Sequence, residues 1–219
     1  MAEVFLRRLS RWQADQQREA IADLYVASYR ASPDREYHDR RTFLLRFAQD
    51  VQRPGFDMLI ASETSLVGAV YGYPPSRDGE WWRGLRVEPE EHAGRVQESG
   101  APVQENGGGI PESGGRVQEI EELTLSGRVF TVAELMVLPS RRRTHIADRL
   151  QKQLLVRVNA DLVTTLLEPT STAASAAYAA WGWTRTGRLE PDNGRPPFDV
   201  WSTRTAPAGR SAGSAGTTR

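Results

Sequence analysis

Hydrophobic positions fall into short runs along this chain, and their spacing changes from one run to the next. Val4 to Leu9 has the make-up of a first strand, and Ala14 to Tyr29 then places Ile21, Leu24, Tyr25 and Tyr29 on one helical stripe. Glu36 to Asp50 gathers Tyr37, Phe43, Leu44 and Phe47 on one face with charge on the other, and Pro54-Gly55 ends it, so a second helix is expected there. Asp57 to Ala61 and Ser65 to Tyr71 are apolar runs joined by Ser62-Glu63-Thr64, the pattern of an antiparallel hairpin. Further along, Val129 to Val137 reads as a strand with Phe130, Val132, Glu134 and Met136 on one side and Thr131, Ala133, Leu135 and Val137 on the other. Pro139 ends it. An amphipathic helix over Thr144 to Val158, a strand over Leu162 to Leu167, a short helix over Ser171 to Trp181 stopped by Gly182, and a last strand over Pro197 to Thr203 complete the pattern.

Two stretches lack any such period. From Val87 to Glu122 the chain turns to Gly, Glu, Pro, Gln and Ser, and Gly-Arg-Val-Gln-Glu at 94–98 recurs at 115–119. Two imperfect copies do not build a solenoid, so 87–122 is expected to be a disordered acidic insertion within a single domain over 1–205, or a segment that meets a partner. The tail over 206–219 holds almost nothing to bury and is expected to be unfolded.

Composition narrows the chemistry. The 28 Lys and Arg residues balance 28 Asp and Glu, so no overall field would hold a nucleic-acid backbone or an anionic membrane. There is no cysteine, which removes disulfides, thiolate metal ligands and a cysteine nucleophile. The three histidines are scattered, and no metal-ligand spacing is visible. No apolar run approaches the length of a membrane span and no secretory signal opens the chain, so a cytoplasmic protein is the expectation.

One constellation carries chemistry. A strand ending at Pro139 leads through Arg141, Arg142 and Arg143 into a helix, and a helix start offers free backbone N–H groups and a positive dipole end to an anion. The same arginines could equally be a solvated cluster. The run Ala133-Glu-Leu-Met-Val-Leu-Pro-Ser-Arg-Arg-Arg-Thr-His-Ile-Ala147 resembles the acetyl-CoA motif of the GNAT superfamily of N-acetyltransferases, Gln/Arg-x-x-Gly-x-Gly/Ala, with Arg142 first, His145 at the middle glycine and Ala147 last. Leu166 to Trp183 is similar to the family's closing motif, with Ser171 in place of an Asn, then Tyr178 and the Trp-Gly-Trp end. The two lie in the family's order and spacing.

The resemblance covers Val4 to Arg204 and implies an α/β fold: a mixed, strongly twisted sheet of six to seven strands, helices on both faces, and splayed fourth and fifth strands, here Val129 to Val137 and Leu162 to Leu167. It implies acetyl-CoA as co-substrate, a primary amine of unidentified identity as acceptor, direct attack on the thioester, and no metal. Cofactor contacts fall on Met136, Val137, Arg142, Arg143, Thr144, His145, Ile146, Ala147 and Ser171, with the backbone N–H of Met136 or Val137 serving the oxyanion. Tyr178 matches the acid that protonates the thiolate, or packs beside Trp181. Glu134 is the candidate base, or a carboxylate paired with an arginine; on a buried face its pKa would be raised. His38 and His92 are given no role. Adjacent Trp81 and Trp82 could wall an acceptor pocket. A homodimer is compatible with this reading. The alternative is a non-catalytic GNAT-shaped module that binds an acyl-CoA or regulates another protein, to which the departures at His145 and Ser171 point.

Overall fold

The computed structural model describes residues 3–30, 38–79, 81–87, 112–191 and 196–205. The expected insertion therefore lies mostly outside the described residues, as do the 206–219 tail, Tyr37 and His92.

The chain opens with β1 (Phe5–Leu9), after which Ser10 starts α1 (Arg11–Gln16) with a capping box: its hydroxyl accepts from Gln13 N–H at 3.2 Å while the Gln13 side chain accepts from Ser10 N–H at 2.9 Å. Gln17 interrupts the helical run, so the single helix expected over Ala14 to Tyr29 is two, the second being α2 (Arg18–Tyr29). Asp39 accepts from Thr42 N–H at 3.0 Å and begins α3 (Arg40–Asp50). The hairpin follows as β2 (Asp57–Ser62) and β3 (Leu66–Tyr73), then a short β4 (Leu85–Val87). After α4 (Glu112–Leu125) come β5 (Val129–Val137), α5 (Ile146–Leu155), β6 (Leu162–Leu167), α6 (Thr172–Ala180), β7 (Thr184–Leu189) and β8 (Phe198–Arg204).

Eight strands form one sheet in the order β1-β2-β3-β5-β6-β8-β7-β4, with β5 and β6 parallel and every other pair antiparallel. The count exceeds the expected six to seven because β4 and β7 gave no apolar alternation; Thr-Arg-Thr-Gly-Arg-Leu hides a strand whose Gly187 lets β4 approach closely. A Cβ on Gly187 would lie 2.2 Å from Arg86 O.

On one face of the sheet α2 and α3 pack Ile21, Tyr25, Phe43 and Phe47 against Met58, Tyr71 and Met136. On the other, α5 and α6 pack Ile146, Leu150, Leu154 and Tyr178 against Val70, Phe130, Val132 and Val163. A third cluster joins Trp82, Ile120, Val129, Leu162, Leu189 and Val200, so Trp82 is core rather than pocket wall, and the Trp81 indole N–H donates to Thr124 at 3.1 Å.

That cluster also corrects the expectation of disorder through Glu122. Ile120 and Leu123, three apart, give α4 an apolar face that covers this end of the sheet. The two glycines at 114–115 masked it in the sequence. Gly115 sits in α4 with nothing within 4 Å of an added Cβ. Gly115→Ala is therefore expected to raise stability by about 0.5–1 kcal/mol, read as an upward shift of the urea midpoint.

Two departures from regular pairing position the site. The β3–β5 register steps from Tyr71↔Glu134 to Gly72↔Val132, leaving Ala133 as an extra residue in β5. The β5–β6 ladder covers Val129↔Leu162 to Val132↔Thr165 and stops, although β5 continues to Val137 and β6 to Leu167. Beyond the bulge the two central strands part.

Candidate active site

The bulge turns β5 over. Phe130 and Val132 face α5 and α6, whereas Glu134 and Met136 face α2 and α3, so the four do not share one side as the alternation predicted. One inserted residue reverses every later side chain, because the strand period is two.

Glu134 lies on the wall of the opening between β5 and β6, its side chain 10 % exposed. Tyr29 O–H donates to its Oε2 at 3.1 Å, and the Arg46 guanidinium pairs with its Oε1. Burial raises the pKa of this carboxyl, and Arg46 and Tyr29 pull it part of the way back. The expected direction was right, but the cause is the α2–α3 layer and not Phe130 or Val132. Arg46 also sits over the rings of Tyr25 and Phe43, 5.7 and 5.6 Å from their centroids.

Tyr178 approaches from the other face. It is 3 % exposed, with Trp181 and Trp183 at 5.1 and 4.9 Å between centroids, so the ring packs beside Trp181 as one of the two sequence readings expected. Its hydroxyl is hydrogen-bonded to Thr165, whose own Oγ1 donates to Val132 O at 3.0 Å. Thr165 and Val132 are the last β5–β6 pair, so the phenol reaches the apex of the splay. Burial pushes its pKa above the ordinary phenol range and keeps it protonated at neutral pH.

Leu138 N–H donates to Val67 O at 3.0 Å. Successive N–H groups of a strand point to opposite edges, which turns the Val137 N–H away from β3 into the opening and directs that of Met136 to β3. Of the two expected oxyanion donors, the N–H of Val137 is directed away from β3 and that of Met136 toward it.

After Pro139 a single 3-10 turn leads to α5. Arg143 and His145 both adopt positive φ, 61° and 60°, and His145 is the residue before the helix. The left-handed geometry that the glycine position requires is therefore present here on a histidine. The first backbone bond of the helix runs from Arg149 N–H to His145 O, so the N–H groups of Arg143, Thr144, His145, Ile146, Ala147 and Asp148 meet no backbone acceptor among the described residues. Ile146 is buried against Gly68, which holds this helix start against the sheet, whereas Arg143, Thr144 and His145 are exposed. The arginines divide. Arg141 pairs with Glu63 through two bonds of 2.8 Å, Arg142 donates to Ser28 O of α2 at 2.7 Å, and Arg143 projects to solvent. Arg141 is thus an anchor for the loop rather than a free phosphate ligand. Ser171 precedes α6 without a side-chain cap bond.

His38, which sequence reasoning left without a role, is partly buried in this region: its ring is stacked on Tyr29 at 3.8 Å, its Nδ1 is 2.6 Å from the Tyr25 hydroxyl and its Nε2 is 3.0 Å from Glu168 Oε1. Arg46 and Glu168 were likewise left without a role, and Tyr25 and Tyr29 read only as part of a buried helical stripe. Arg46 and Tyr29 are 88 and 105 positions from Glu134, Glu168 is far from His38 in the chain, and Tyr25 lies on a helix face that reads as core.

A comparison with solved structures decides the architecture. A GNAT-family protein from Desulfovibrio desulfuricans superposes with a TM-score of 0.56 over 93% of this chain and 100% of its own, at 11% identity. The chain has the GNAT acetyltransferase fold. The ribosomal-protein-S18-alanine N-acetyltransferase of Escherichia coli matches with a TM-score of 0.55 at 10% identity, over 95% of this chain and 98% of its own. Diaminobutyrate acetyltransferase of Paenibacillus lautus, in complex with L-2,4-diaminobutyric acid and coenzyme A, matches at 0.51 and 13% identity, over 92% and 95%. No protein-family model and no curated protein matches the sequence. Within the GNAT fold, the strands expected as fourth and fifth are β5 and β6 here, because the short β4 precedes them. No helix among the described residues is long and apolar enough to cross a membrane.

Proposed function

We infer that this protein is an N-acetyltransferase that takes the acetyl group from acetyl-CoA and passes it by direct attack to a primary amine. The observation that carries the reading is the parting of β5 and β6 beyond Val132 and Thr165, with Tyr178 at its apex, Glu134 on one wall and the unpartnered N–H groups of 143–148 at its rim. Acetyl-CoA supplies an activated thioester and a pyrophosphate. The residues present suit both: the helix start offers N–H donors to phosphate oxygens, Arg143 is free to add a charge, and His145 holds the tight turn that brings the backbone close.

The chain's own groups then divide the work. Val137 N–H is aimed at the opening, where an oxygen gaining negative charge needs a donor. Glu134 accepts a proton from the amine as the N–C bond forms, its raised proton affinity bringing it closer to the range a base requires. Tyr178 gives its proton to the departing thiolate. Structural neighbours that hold coenzyme A support acetyl-CoA as the co-substrate.

Calorimetric titration with acetyl-CoA tests it. Saturable binding is expected, weakened about tenfold in Arg143→Ala, the loss of one charge-assisted contact, and not weakened in His145→Gly, which retains the turn. Failure of acetyl-CoA and of longer acyl-CoAs to bind would leave a GNAT-shaped module without transferase activity as the conclusion.

A further inference from the structure

Across the opening from Glu134, a second set of ionisable groups has no task in the reading above. Glu168 directly follows β6, and the stacked rings of Tyr29 and His38 span the gap between the parted strands, Tyr29 donating to Glu134 on β5 while His38 meets Glu168. Glu168 Oε2 is buried without a hydrogen-bond partner, and His38 Nε2 is buried with only the Glu168 carboxylate beside it. A carboxylate oxygen in that situation lacks the donors that water would supply. It is relieved by a proton.

The contact on the other ring nitrogen makes such uptake easy. A tyrosine hydroxyl both donates and accepts. With His38 neutral, Tyr25 O–H donates to Nδ1 and Nε2–H faces Glu168. With His38 charged, Nδ1–H donates to the Tyr25 oxygen and Nε2–H still faces Glu168. The Tyr25–His38 contact persists in both states with its direction reversed, and a charged His38 gains an ion pair with Glu168. The groups facing the pair are Tyr25 and Tyr29 from α2, Arg46 from α3 and Glu134 from β5. Two carboxylates against one guanidinium leave an excess of negative charge around the pair.

We propose that His38 and Glu168 form a second proton-accepting pair of the acetyl-transfer site, a role that rests on the function inferred above. An alkylammonium must lose two protons to become an amide nitrogen: one before its lone pair can attack, the other as the N–C bond forms and the C–S bond breaks. The His38–Glu168 pair takes the first and Glu134 the second. Tyr178 protonates the sulfur and recovers its proton from Glu134, and the pair releases its own to solvent, so one proton is set free per turnover. Imidazole suits the first step because its ordinary titration lies near neutral pH.

The test combines histidine NMR with kinetics on the full chain. In 15N-labelled protein, the His38 ring-nitrogen resonances, assigned by their loss in His38→Gln, are expected to move in Glu168→Gln, which removes the carboxylate oxygen 3.0 Å from Nε2. With n-butylamine, 1,4-diaminobutane and L-lysine methyl ester as probe acceptors, kcat/KM at pH 7 is expected to drop about a hundredfold in either variant, with the acid limb of the pH profile displaced and acetyl-CoA affinity unchanged. A limb that neither substitution moves overturns the proposal. If no probe amine is acetylated, the NMR result decides: His38 ring-nitrogen resonances that ignore Glu168→Gln overturn it, and resonances that move support it. Loss of acetyl-CoA binding by the unmodified protein would instead overturn the inferred function, and calorimetry reads that separately.

Discussion

Tyr178→Phe is expected to lower kcat about a hundredfold or more while leaving acetyl-CoA affinity within about twofold, the size of effect a positioned general acid contributes. The split follows from where each part of the side chain sits. The ring fills space between Trp181 and Trp183, and phenylalanine retains that packing, so the fold around α6 persists. Only the hydroxyl is lost, together with its bond to Thr165, which costs about 1 kcal/mol of stability. Steady-state release of the coenzyme A thiol, alongside calorimetry, reads both numbers. An unchanged kcat would reduce Tyr178 to a packing residue and remove the acid from the mechanism. Tyr178→Ala is less informative, because it removes a buried ring as well as the proton.

Gly72→Ala is expected to cost about 3 kcal/mol, at the upper end of the range for overpacking a core. Gly72 lies in β3 opposite Val132, at the step in register that produces the bulge. A Cβ there would be 2.3 Å from Thr131 O and 2.5 Å from the Phe130 ring. The carbonyl is backbone and cannot swing aside, so β3 and β5 must separate or the register must move. Either change displaces Glu134, which owes its position facing α2 and α3 to the extra residue at Ala133. Urea unfolding measures the first effect. The second is visible in the same protein as a loss of activity larger than the unfolded fraction explains. If Gly72→Ala is as stable as the parent, the bulge is not held by close packing at this position.

Several features of this site are legible in the amino-acid sequence alone. Positions 133–147 and 166–183 announce a strand, a phosphate-type turn and a helix with a tyrosine, because the GNAT motifs are continuous in sequence and depend on local backbone geometry. The positive φ of His145 belongs to that class: a short loop between a strand and a helix start leaves the chain few ways to turn. The direction of the Glu134 pKa shift is legible as well, although the layer that buries the carboxyl is α2 and α3 and not its neighbours in the strand. That layer is not legible, since Ala133 carries no mark of being an extra residue and a bulge is decided jointly by two strands. The helix over 112–125 escapes notice for a different reason. Gly114 and Gly115 and the charged residues around Ile120 read as loop, and only contact with Trp82, Leu162 and Leu189 rewards that face for becoming helical.

The hairpin of β2 and β3, the succession of β5, α5, β6 and α6, the turn before α5 and the presence of a tyrosine and a glutamate near it are all written locally in the chain, whereas β4, β7 and α4 are not. Tertiary structure alone decided which side of β5 Glu134 occupies, that Arg141 is tied to Glu63 while Arg143 projects to solvent, and that His38 meets Glu168 from the far side of the sequence. The physical reason is that periodicity records which face of an element avoids water, whereas hydrogen bonds and ion pairs between distant elements depend on where packing finally sets those faces.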